Sequence, residues 1–127
     1  DNYYGTSLKP INEALNEGKL VIFDIDVQGH EIVRNKLDDI VTSVFITTPS
    51  LNVLDDRLKT RATDDLDVIE KRLQNAKIEI NSIDKYDYFL VNDDLVDASK
   101  KLVSIANITR INASLFDKDK LVKNWLS

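Results

Sequence analysis

The sequence predicts an α/β fold built around a parallel sheet, on three observations. Residues 20–25, Leu-Val-Ile-Phe-Asp-Ile, form an apolar run that closes on Asp24 and Asp26 and then reaches Gly29. A strand buried in a parallel sheet reads this way, and carboxylates at its carboxyl end suit the place where such a sheet opens into a ligand crevice. Two further apolar runs, at residues 42–47 and 88–91, repeat the pattern. Amphipathic helical segments separate the runs, and strands alternating with helices give parallel pairing and right-handed crossovers.

The elements follow in order. Ser7-Leu8-Lys9-Pro10 reads as a helix start with Ser7 as N-cap and Pro10 in the first turn; Ile11, Ala14 and Leu15 form the apolar stripe and Gly18 ends the helix. A strand is expected over residues 20–25, a helix over 28–37 and a second strand over 42–47, ending before Pro49. On a strand Asp24 and Asp26 project to the same face. Ser50 is the expected N-cap of a helix through Thr60 with Leu51, Leu54 and Leu58 on one side. Thr63 or Asp64 is expected to cap a long helix over 66–83, because Leu66, Ile69, Leu73, Ala76, Ile80 and Ile83 step by three and four. A short strand at 88–91 carries Asn92-Asp93-Asp94 at its carboxyl end. Leu95, Ala98, Leu102 and Ile105 mark the next helix, and Val122, Trp125 and Leu126 a last one.

Composition excludes several classes of function. Seventeen basic against 22 acidic residues, a formal charge of −5, oppose nucleic acid or an anionic membrane as main partner, since both require a basic surface. With no cysteine and one histidine, disulfide scaffolds, Cys/His zinc sites and Cys or Ser–His catalysis lack their residues. His30 is read as a helix-start or helix-surface residue. No apolar run approaches the roughly 20 residues of a membrane helix, and no charged leader opens the chain, so a cytoplasmic protein is expected.

Further motifs are Asn2-Tyr3-Tyr4-Gly5-Thr6, Asp24-Ile25-Asp26-Val27-Gln28-Gly29, Arg57-Leu58-Lys59-Thr60-Arg61, Glu70-Lys71-Arg72-Leu73, Tyr86-Asp87-Tyr88 and Val91-Asn92-Asp93-Asp94. Arg57 and Arg61 are four apart and share a helix face; with Arg72 they could converge on one anion if the turn between the helices folds back. By spacing alone the commoner outcome is solvated or carboxylate-paired arginines. Tyr86-Asp87-Tyr88 reads as packing, and Asn92 and Asp93 by composition read as a polar cap.

In this order and spacing, the motifs resemble those of guanylate kinases from Asn2 to about Ile105. The resemblance implies a three-layer parallel sheet of the P-loop nucleoside-monophosphate kinase type, incomplete at the N-terminus, with a helical lid. It implies one partial domain over 1–127, with a lid at about 57–83 and a C-terminal helical extension at about 107–127. Enzymes of this family carry a glycine-rich phosphate loop. Gly5, Gly18 and Gly29 are too widely spaced to form one.

By the same resemblance Arg61 and Arg72 are the catalytic lid arginines, and Arg57, Asn92 and Asp93 bind ATP. Tyr4, Gly5, Thr6, Asp24 and Asp26 bind GMP, the two aspartates lying toward the Mg2+ that accompanies ATP. Ala62 departs from the family, where glycine usually follows the lid arginine. The expected activity is ATP + GMP to ADP + GDP, with this chain inactive alone for want of the phosphate loop. The alternative is a guanylate-kinase-like interaction module that binds a phosphorylated peptide, and a third expectation is self-association through an open sheet edge.

Overall fold

A computed structural model describes residues 8–61 and 65–127. They form a mixed α/β structure of two compact units, one comprising described residues 8–41 with 106–127, the other the described part of Thr42–Ile105.

The first unit opens with helix α1, Leu8–Asn16, which buries Ile11 and ends where Gly18 takes φ +76°, a left-handed conformation that glycine adopts without strain. Ser7, the expected cap, lies outside the described residues. Residues 20–26, expected to contain a strand, join no ladder among the described residues, although their exposure alternates as in a strand, with Val21, Phe23 and Ile25 half-buried and Ile22, Asp24 and Asp26 exposed. Alternation is a local property of the chain, whereas a strand requires a hydrogen-bonded neighbour, and the two described strands pair with each other.

Helix α2, Val27–Leu37, begins one residue before its expected start because Asp26 caps it, its Oδ1 accepting the Gly29 N–H at 2.7 Å. Gly29 is needed for close approach: a Cβ there would stand 3.1 Å from the Ile25 Cβ and 3.2 Å from Asp26 Oδ1. Gly29→Ala is therefore expected to lower stability by about 1 kcal/mol, crowding outweighing the better helix propensity of alanine. A urea titration that found the variant equal to or more stable than the parent would contradict this. His30 stands at the helix start as expected, but it is buried, 6% exposed, and is not a surface residue. The unit closes with the end of helix α5, Leu95–Thr109, and with helix α6, Lys118–Leu126, capped by Asp117. Arg110 donates to the Gly18 carbonyl at 3.2 Å, tying this C-terminal stretch to the end of α1.

The second unit holds the sheet: β1, Val44–Thr47, lies parallel to β2, Tyr88–Val91, with Val44 opposite Tyr88 and Thr47 opposite Val91. The parallel pair thus joins the second and third expected strands, not the first and second. Phe45 stacks on Phe89 at 6.2 Å between centroids and meets Tyr86 edge-on at 5.1 Å. Helix α3, Leu51–Arg61, starts at the Ser50 cap, whose hydroxyl accepts the Val53 N–H at 3.2 Å. Helix α4, Leu66–Glu79, packs against α3 and buries Ile69. Its cap is Asp65, which accepts the Val68 N–H; Thr63 and Asp64, the expected caps, lie outside the described residues. The helix expected to run through residue 83 ends at Glu79 and tightens into a 3-10 segment, Ile80–Lys85, where Asn81 Nδ2 donates to the carbonyls of Lys77 and Ile78.

Among the described residues the core is thin: those apolar and buried are Ile11, Ile69, Leu90 and Ala98, while Ile46 and Phe89 on the sheet are about half exposed. No helix among the described residues is long and apolar enough to cross a membrane.

Candidate functional site

The carboxyl end of the sheet, in the second unit, brings together three of the residues singled out from sequence. Asn92 follows β2, and its N–H extends the ladder to the Thr47 carbonyl at 2.7 Å. Arg57, half-buried on α3, donates from Nη1 to the Asn92 carbonyl at 2.7 Å and from Nη2 to the Asp93 carbonyl at 3.3 Å. Asp94 caps α5, accepting the Val96 N–H at 2.9 Å. Thus the cap reading applies to Asp94, while Asn92 and Asp93 form the short segment between strand and cap. An amide side chain at such a strand end has both donor and acceptor for a base edge.

Arg61 is the last residue of α3, one turn beyond Arg57, and Arg72 sits midway along α4; both are exposed. On α3 Lys59 pairs with Asp55 at 3.1 Å and the Thr60 hydroxyl donates to the Asp56 carbonyl. Two long cationic side chains on packed, solvent-facing helices suit an oxyanion ligand, because a guanidinium fork matches two phosphate oxygens.

In the first unit, Asp24 and Asp26 occupy the exposed side of the extended segment but differ in duty. Asp26 has Oδ1 committed to the α2 cap; Asp24 caps no helix among the described residues. The signal for that cap was present as an aspartate three residues before a glycine at a helix start. Tyr4, Gly5 and Thr6 lie outside the described residues, as does Ala62.

Sequence reasoning missed a lock at the amino end of the sheet, opposite the Arg57 fork. Asp87 Oδ2 accepts the backbone N–H of buried Ser43 at 2.8 Å and its hydroxyl at 3.4 Å, while the Asp87 N–H points back to Ser43. The partners are 44 residues apart, so no local pattern could reveal them. This lock anchors the start of both strands.

Comparison with known proteins bears on the whole arrangement. The family model described as guanylate kinase matches residues 1–108. The chain belongs to the guanylate kinase family. It is similar to the guanylate kinase of Sulfurimonas denitrificans, 49% identical over 124 residues that cover 98% of this chain and 60% of that relative. The guanylate kinase of Wolinella succinogenes is 44% identical over 126 residues, 99% of this chain and 59% of the relative. That of Campylobacter jejuni strain RM1221 is 49% identical over 105 residues, 83% and 51% respectively. The chain thus spans about three-fifths of the length of the first two curated relatives. The family model ends at residue 108, so α6 lies beyond it, although the first two matches nearly span the chain.

Proposed function

We propose that this chain is the larger part of a guanylate kinase that transfers the γ-phosphoryl group of ATP to GMP in the cytoplasm, serving purine nucleotide metabolism. The observation that carries the reading is the Arg57 fork on the Asn92 and Asp93 carbonyls, with Arg61 one turn further along the same helix, in a chain of this family. The fork ties the Asn92–Asp93 segment to the helix that bears Arg61, which supports a base-reading segment working beside a phosphate-binding cation.

In the reaction a phosphate oxygen of GMP forms a bond to the γ-phosphorus while the bond from that phosphorus to the bridging oxygen of ADP breaks. There is little covalent work for the protein, so positioning and charge carry catalysis. Arg61 and Arg72 neutralise the equatorial oxygens of the migrating group. Asn92 and Asp93 hold the adenine, while Tyr4, Gly5, Thr6 and the aspartates hold the guanylate. Mg2+ bound with ATP supplies further charge neutralisation at the phosphates. Two exposed carboxylates fit a cation that keeps most of its waters and takes one or two protein carboxylates beside phosphate oxygens.

The duties of the aspartates separate them. Asp24→Asn is expected to lower kcat/KM for GMP by about 10- to 100-fold with stability unchanged, the size of a lost charge-assisted contact. Asp26→Ala is expected to cost about 1 kcal/mol of stability through its lost cap. Parallel urea melts and GMP saturation curves check both, and equal loss of stability in the two variants would contradict the division.

The phosphate loop and the third layer of a P-loop kinase fold are read as belonging to the remainder of a longer protein, since this chain has no Gly-x-x-x-x-Gly-Lys segment. A coupled assay of ADP release from ATP tests the reading on the full-length protein encoded by the same gene and on this chain alone. GMP-dependent release by the longer protein only is the expected result. Binding of a phosphorylated peptide without any turnover would replace the kinase by an interaction module.

A further inference from the structure

We infer that Arg57 is a positioning residue: its guanidinium holds the backbone of the base-reading segment in shape before any nucleotide arrives. The inference deepens the kinase reading and rests on it for the identity of the ligand.

The geometry is specific. A guanidinium presents its donors in a rigid plane, and here two of its nitrogens meet two consecutive carbonyls, those of Asn92 and Asp93, 35 and 36 residues away. A carbonyl direction reports the orientation of the peptide plane that follows the residue. Two planes held by one fork set the angle at which the Asn92 and Asp93 side chains leave the chain. The remaining bonds of the segment do not do this. The Asn92 N–H bond to Thr47 fixes its entry from β2, and the Asp94 cap fixes its exit into α5, leaving the two carbonyls between them to Arg57. The fork also ties α3 to this segment one turn before Arg61, so the contact that shapes the base site steadies the helix bearing the phosphate arginine.

A lysine cannot substitute fully. Its ammonium is a point donor on a flexible stem and meets one carbonyl well, not two in a plane. An Arg57 that instead acted by touching the nucleotide would leave the empty protein unaltered on removal.

The experiment is amide hydrogen exchange on the full-length protein without nucleotide, for the parent, Arg57→Lys and Arg57→Ala, with calorimetric affinities for ATP and for GMP measured separately. Exchange at the Asn92, Val96 and Asp97 amides is expected to rise about tenfold in Arg57→Ala and less in Arg57→Lys. ATP affinity is expected to fall about tenfold while GMP affinity stays within about twofold, a split that general loosening of the fold would not give. Unchanged exchange in the empty variants would overturn the clamp. Faster exchange with unaltered ATP affinity, or with ATP and GMP affinities falling together, would overturn its role in positioning. A parent protein that binds neither nucleotide would refute the kinase reading, while the exchange data would still decide the clamp. Should Arg57→Ala fail to fold, the lysine variant carries the same comparison.

Discussion

Replacing Arg72 by alanine in the full-length protein is expected to lower kcat by about 10^2- to 10^4-fold, with the KM values for ATP and GMP changed far less. An arginine that meets charge only as it develops in the transition state stabilises that state and not the bound substrates, and its loss therefore falls on kcat. Arginines in this position in phosphoryl transfer contribute about 10^3- to 10^5-fold. Arg61→Ala is expected to fall in the same range, and the double variant to lose less than the product, since the proposed mechanism has both cations acting on one group. Arg61 is exposed at the end of α3, so its substitution should not shift the urea midpoint noticeably. Single-turnover kinetics would check the first expectation: a loss confined to KM would mean that these arginines grip ground-state phosphates and nothing more.

Asp87→Ala is expected to destabilise the second unit by about 2–3 kcal/mol. The buried Ser43 N–H would lose its carboxylate acceptor, and a buried donor left without a partner costs more than the bond contributed. Ser43→Ala, which removes the hydroxyl with its 3.4 Å bond to Asp87 Oδ2 and its 3.2 Å bond from the Asp87 N–H but leaves the backbone bond in place, is expected to cost about 1 kcal/mol. Unfolding monitored at the aromatic cluster of Phe45, Tyr86 and Phe89 would report both. Equal costs for the two variants would show that the bond to the backbone is not the larger contribution.

These residues also mark the limit of what the sequence discloses. Local chemistry was legible: Ser50 caps α3, Gly18 ends α1 in the left-handed region, and the apolar steps of Ile69, Leu73 and Ala76 form a helix. Properties requiring a distant partner were not. Residues 20–25 have a strand's composition and alternation but no ladder among the described residues, because pairing cannot be written into one segment. Tyr86-Asp87-Tyr88 reads as packing, and the bond from the Ser43 N–H to the Asp87 carboxylate escapes that reading for the same reason. His30, polar and at a helix start, reads as a surface residue until the packing around it is known. Of the site, the family resemblance gathered Arg57, Asn92 and Asp93 into one group, and the structure brings them together in the second unit. The fork itself depends on a helix packing over a strand end 35 residues away, beyond any spacing rule.

Transfer of label from γ-32P-ATP to GMP is the most direct test of the kinase reading, made on the full-length protein and its Arg72→Ala variant with AMP as control acceptor. Labelled GDP formed by the parent, little labelled ADP with AMP, and a loss of at least about 100-fold in the variant are the expected results. No labelled GDP from a folded parent that binds ATP would contradict the assignment.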